Sequence, residues 1–252
     1  MSIKGSGADS AKVRAARAAV SCVLMFFAFC ADSPLLSENT PPEQQPSSSG
    51  HELAVLLDVN GNQRKVLAVE LSLAEGVIEN LGQPGNMFSV ITFGSQPPVL
   101  LKSRVHTDEA LATIRNVSLE QTRPDYLSVR LYEALNLGFG QFTDDTRPKS
   151  LLIIAEGNDA SGKSFKPAVS RAKQLHITCN VALVADHTFY GSKAIQRYGF
   201  YLRELAAKTH GRYIEVGARQ KKVSAAAARF ANVILAQDRV GPERRANHPT
   251  RN

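Results

Sequence analysis

The sequence predicts an α/β protein with a doubly wound, mostly parallel central sheet and helices on both faces. Three observations carry that expectation. Short apolar runs alternate along the chain with segments whose apolar residues recur at three- and four-residue steps, as strands alternating with amphipathic helices would. Several runs, among them ELAVLLDV, SLLIIA and ITCNVALVA, are apolar throughout, which is how strands buried on both faces read. Turn chemistry separates the two kinds of segment, as in LGQPGN, where Pro84 and Gly85 forbid continuation of the helix before them.

Taken in order, ELAVLLDV is the first strand and residues 66–81 (VLAVELSLAEGVIENL) the first helix. MFSVITFG and PVLLKS are two more strands joined at residues 95–97. TDEALATIRNV is a helix with Thr107 as its expected N-cap. A helix around residues 129–139 leads to the strand SLLIIA. The helix near residues 167–174 opens on Pro167, which suits a first turn because the missing N–H has no partner there in any case. ITCNVALVA is the next strand, and YLRELAAKTHG a helix with Gly211 past its end. RYIEV and SAAAARFANVILAQ close the series as strand and helix. In such a sheet, sites form at the carboxyl ends of the strands. Three polar loops leave those ends, at residues 58–62, 125–128 and 156–161.

The flanks are of another kind. Lys4, Lys12, Arg14 and Arg17 precede an apolar stretch at residues 18–31 (AAVSCVLMFFAFCA) that is shorter than the ~20 residues needed to cross a bilayer. Residues 1–31 therefore read as an export signal or a lipoprotein-like anchor, and the protein as periplasmic, secreted or envelope-anchored. Lipidation at Cys30, cleavage after Ala31 and an uncleaved anchor all remain open. Residues 32–50, rich in Pro, Ser, Gln and Glu, read as a flexible linker, residues 51–236 as the domain, and residues 237–252 as a flexible basic tail. Of the three cysteines only Cys179 falls inside the domain, in an apolar run, so the chain has neither a disulfide framework nor a zinc pattern. The net charge of +7 is spread thinly, with one local cluster at Arg212, Arg219, Lys221 and Lys222. Without a groove-entering motif it describes a solvated basic face, and nucleic acid is not an expected partner.

The order, lengths and loops together resemble the von Willebrand factor type A domain of the bacterial type, over about residues 52–216. LAVLLDVNGNQRKVLAVELSLAEGVIENLGQPGNMFSVITFGSQPPVLL is similar to that family's first strand, metal loop, helix and next two strands. RLYEALNLGF resembles its LYDA helix, and FYLRELAAKTHGRYIEV its last helix, turn and strand. The resemblance implies a Rossmann-like fold and a non-enzymatic module for binding other proteins in adhesion or assembly. It also implies a metal ion-dependent adhesion site, in which an Asp-x-Ser-x-Ser loop, a Thr and a distant Asp bind a divalent cation that an acidic residue of the partner completes.

On this chain the first of those positions is Asp58, and Asn60 and Asn62 stand where the serines would. The threonine falls on Val129, leaving Ser128 next to it as a substitute, and the distant aspartate is Glu156. Amide carbonyls and a longer carboxylate favour calcium, a larger and less exacting ion than magnesium. The competing reading is a vestigial, metal-free site, in which the Asx residues brace their loop with side-chain to backbone hydrogen bonds. Asp125, Asp159, Asp186 and His187 share the same edge and are expected to shape the partner-facing surface.

Two sharper motifs compete for these loops. Residues 157–164 (GNDASGKS) match the nucleotide-binding pattern G-x-x-x-x-G-K-[ST], in which Lys163 would reach phosphate and Ser164 would hold magnesium. Such a loop normally follows the first strand of its domain, whereas four expected strands precede this one, so a P-loop hydrolase is a distant alternative. Asp58-Val-Asn60-Gly-Asn62 resembles the start of a helix-loop-helix calcium loop, but Gln63 occupies the position that needs Gly, and Val69 the twelfth position. None of the six histidines has a spaced partner that would make a catalytic constellation, and capping or surface roles are expected for them.

Overall fold

Leu53, Val55 and Leu57 of the first strand, β1 (Glu52–Asp58), point into one apolar cluster, and Ala54 and Leu56 into a second on the opposite side. A strand has a side-chain period of two, so an unbroken apolar run can only be a strand covered on both faces. The structure, a computed structural model, describes residues 50–60, 64–118, 130–143, 146–156, 165–185, 192–217 and 223–238. The expected export segment, all of the linker before Gly50 and the tail beyond Asp238 lie outside the described residues.

The other elements are α1 (Arg64–Asn80), β2 (Met87–Phe93), β3 (Val99–Val105), α2 (Thr107–Arg115), α3 (Leu131–Phe139) and β4 (Lys149–Ala155). They continue with α4 (Lys166–Gln174), β5 (Ile177–Ala185), α5 (Ser192–Lys208), β6 (Tyr213–Gly217) and α6 (Val223–Asp238). The strands form one sheet in the order β3-β2-β1-β4-β5-β6. Every neighbouring pair is parallel except β2 and β3, whose short connection allows only an antiparallel return. Helices α1, α2 and α6 supply the first cluster, and α3, α4 and α5 the second. The doubly wound, mostly parallel sheet expected from the sequence is the sheet observed.

Two local departures from the expectation have physical reasons, and the turn that ends α5 adds a detail. His106, in extended backbone, is the N-cap of α2, and Thr107 is the helix's first residue; no side chain caps that end. Helix α5 begins at Ser192, nine residues before the apolar periodicity of YLRELAAK announces it. At its other end, His210 adopts φ 62° while Gly211 N–H bonds to Ala206 O at 2.8 Å, so the left-handed cap residue is His210 rather than the glycine. Gly211 serves a different need, because a Cβ there would lie 1.8 Å from the carbonyl oxygen of Cys179 on β5. Two of the histidines, His176 and His210, thus sit at helix ends with positive φ, in the capping role expected of them.

The edge strand β3 is largely exposed and is tied down at its far end. Arg104 there has φ 53°, an uncommon conformation for a residue with a side chain, next to a shift in the β2–β3 register. Its guanidinium lies 2.7 Å from the carboxylate of Glu52, a buried acid at the amino end of β1. The same carboxylate accepts hydrogen bonds from the backbone N–H and the hydroxyl of Thr143, each at 3.1 Å. One acid therefore links β1, the bulged β3 and the segment after α3. Glu52→Ala should lower the unfolding free energy by about 2–4 kcal/mol, since it strands a partly buried guanidinium and two hydrogen-bond donors. Urea denaturation should show a lower midpoint at an unchanged slope.

Candidate functional site

Strand order reverses direction between β1 and β4. Chain connections from β1 run outward through β2 and β3, and those from β4 run outward the other way through β5 and β6. A crevice opens at such a switch point, outside the carboxyl ends of the two central strands. Two of the sequence-identified acids stand there. Asp58 is the last residue of β1, and Glu156 is the first residue beyond β4.

Both are buried, at 4% exposure each. The ladder with β2 runs one residue past Asp58, where Val59 N–H bonds to Phe93 O at 2.8 Å. Asp58 then accepts the backbone N–H of Asn60 on Oδ1 at 3.0 Å, an Asx turn that starts the loop. Asn60 is itself 6% exposed, and neither Oδ1 nor Nδ2 of its amide has a hydrogen-bond partner. Helix α3 is fastened to the same edge, because Arg130, its N-cap, donates its backbone N–H to Gly94 O just past β2.

A third buried acid lies on α1, and the sequence reading passed over it. Glu70 lies on α1 at 2% exposure, and its Oε1 has no hydrogen-bond partner. Burial, and then the negative charges of Asp58 and Glu156, hold its carboxyl well above the usual carboxylate range. Its position was legible in the helix. Val66, Leu73 and Val77 all face the core, and Glu70 falls on their stripe, four residues after the first and three before the second. A carboxyl on a stripe that should be apolar is a signal in its own right.

The remaining sequence-identified positions, Asn62, Ser128, Asp125, Asp159, Asp186 and His187, lie outside the described residues, as does the 157–164 motif. The structure thus brings together Asp58, Asn60 and Glu156, and adds Glu70. The donors present are hard oxygens, the type that calcium and magnesium take, and two buried side chains among them carry unused polar atoms. Among the described residues, no three His, Cys, Asp or Glu side chains converge closely enough to cage an ion by themselves. Elsewhere, Cys179 has the packing role expected of it. Burial pushes its thiol up to about 12, only partly offset by a hydrogen bond with Thr209, so it is neither a nucleophile nor a ligand near neutral pH.

Comparison with known proteins bears on the fold. No protein-family model and no curated protein matches the sequence. Among solved structures, an aerotolerance-related membrane protein from Bacteroides fragilis superimposes with a TM-score of 0.55 at 16% identity, covering 74% of this chain and 100% of that one. A von Willebrand factor type A protein from Catenulispora acidiphila gives 0.55 at 11% identity, over 73% of this chain and 43% of that one. The mussel byssus proximal thread matrix protein 1, in a form whose metal ion-dependent adhesion site holds zinc, gives 0.55 at 14% identity, over 75% and 46%. The domain is of the von Willebrand factor A type in fold.

Burial without a counter-charge makes Glu70 costly to the folded state. Its raised pKa contributes stability that is complete below the unfolded value near 4.5 and is lost as pH rises through the folded value. In chelator at neutral pH, Glu70→Gln should therefore be more stable than the parent, by about 1–3 kcal/mol. The gain should vanish in melts run below pH 4.

Proposed function

We infer that this chain is a protein-binding module of the cell envelope that docks its partner through the loops at the carboxyl edge of the sheet. The observation that carries this reading is the group Asp58, Asn60 and Glu156 at the switch point. Helices cover both faces of the sheet, and these buried polar side chains stand where its architecture opens a crevice. Proteins of this fold with a filled adhesion site, such as the zinc-bearing mussel protein, support reading the group as the docking edge. Asp125, Asp159, Asp186 and His187 extend that edge in sequence, and Asn62 and Ser128 would complete the ligand set for magnesium or calcium. The role is adhesion or assembly, without catalysis.

The envelope assignment rests on two supports. Residues 1–31 have the order of an export signal or anchor, and the structurally similar Bacteroides fragilis protein is described as a membrane protein. Among the described residues no helix is long and apolar enough to cross a membrane, so attachment would run through the N-terminal segment.

A second reading, contact through helix surfaces with silent loops, is favoured by one feature. Phe200 on α5 is 61% exposed and lies edge-on to Tyr201, whose ring also meets Phe165. Two substitutions separate the readings in a quantitative co-purification from envelope fractions. Asp58→Asn keeps the acceptor for Asn60 N–H but removes the charge. It should reduce partner recovery at least tenfold, ~1.4 kcal/mol, with folding intact. Phe200→Ser should leave recovery unchanged; the opposite pattern would move the contact to the helices. Lys163→Ala should change neither partner recovery nor the absence of saturable nucleotide binding, and a nucleotide affinity lost with that substitution would reinstate the P-loop.

A further inference from the structure

Helices α4 and α5 pack beside each other over one face of the sheet, and their charge is one-sided. Helix α4 carries three basic residues and no acid, and α5 four basic residues and one acid, Glu204, which Lys208 neutralises in an ion pair. On the opposite face, α1 and α2 together carry three basic residues and five acids. Among the described helical residues, the exposed large apolar side chains fall on the basic face as well. Leu202, Leu205 and Ala206 bury one side of α5, and helical periodicity puts Phe200 on the crest opposite them, where it is 61% exposed. Tyr201 is 41% exposed beside it, with the two rings edge-on at 5.7 Å, and it also meets the Phe165 ring at 6.3 Å. Lys166 follows Phe165, and Lys173 stands two turns later on the same side of α4; both are exposed.

We propose that this face of α4 and α5 rests on an anionic lipid surface, with Phe200 and Tyr201 entering the headgroup layer and Lys166 and Lys173 meeting its phosphates. The proposal is independent of the carboxyl-edge reading and adds a peripheral contact to the attachment expected through residues 1–31. Two properties select this occupant. An aromatic pair standing out from a helix crest gains from leaving water, and tyrosine, apolar in body and polar at its tip, suits the boundary between headgroups and acyl chains. The basic side chains around the pair answer the negative potential of anionic lipid, which attracts each one that comes near the surface. Lysine suits that rim, since its apolar stem can lie against the acyl boundary while the ammonium stays among the headgroups. The acidic helices α1 and α2 are on the far side of the sheet, turned away from a surface that would repel them. A protein partner would have to match an apolar recess with acids around it, whereas an anionic bilayer offers both at every point.

The chain has no tryptophan, so one introduced on this face reports on it alone. Full-length Phe200→Trp is mixed with vesicles of equal parts phosphatidylglycerol and phosphatidylcholine, and Ala112→Trp, at an exposed position of α2, serves as the control. The N-terminal segment is common to both proteins, so any binding through it brings both to the vesicles. The Phe200→Trp emission should move to shorter wavelength and be quenched by brominated lipid, on vesicles containing phosphatidylglycerol and not on phosphatidylcholine alone. The shift should be lost in about 1 M salt, where the screening length falls to ~3 Å, and in a Phe200→Trp protein that also carries Lys166→Glu and Lys173→Glu. Thermal melts should show each variant folded like the parent, because every replaced side chain is exposed. Should Phe200→Trp misfold, Tyr201→Trp must show the same shift. No shift at position 200 on anionic vesicles, an equal shift at position 112, or an equal shift on phosphatidylcholine alone would overturn the proposal. A shift given by native envelope vesicles and not by lipid alone would assign the face to a protein and overturn it too.

Discussion

The arrangement of the whole molecule follows from burying a parallel sheet on both faces. Helices then occupy the two broad surfaces, and polar groups that must approach the interior are driven to the ends of the strands. The reversal of strand order between β1 and β4 decides which end is open. The two central strands end side by side there, and the connections leaving them diverge. Asp58 and Glu156 reach the same place from positions almost a hundred residues apart because both terminate those central strands.

The two ends of β1 handle buried acid in opposite ways. At the amino end, Glu52 is surrounded by donors, with the Arg104 guanidinium and both donors of Thr143 meeting its carboxylate. That acid fixes the position of the bulged edge strand and of the segment after α3, and its charge is matched locally. At the carboxyl end, Glu70 faces two further acids and keeps an oxygen without a partner. Evenly matched charge is the mark of an acid that holds a fold together. Concentrated like charge beside orphaned amide atoms is what a binding site costs before its ligand arrives.

Most of the architecture was legible in the sequence because the strands are apolar throughout and the helices keep their three- and four-residue steps. The limits of β1, β4 and β5 fall within a residue of those read from ELAVLLDV, SLLIIA and ITCNVALVA. What escaped was local. The cap of α2 went to His106, since extended backbone at that residue rather than a side-chain bond begins the helix. The first turns of α5 carry Ser, Lys, Gln and Arg, so periodicity could not reveal them. At the site, Asp58, Asn60 and Glu156 came from matching a loop pattern, and a pattern of loop residues has no place for a helix residue. Glu70 was visible only by asking which member of the α1 stripe did not belong there.

Amide hydrogen exchange of the full chain, in calcium and then in chelator, tests most directly whether the carboxyl edge is the working end of this domain. The account predicts slower exchange with calcium in peptides covering residues 58–70 and 153–165, with the edge strands β3 and β6 unchanged. Protection that appears only at β3, β6 or the outer helices, or nowhere, would contradict it.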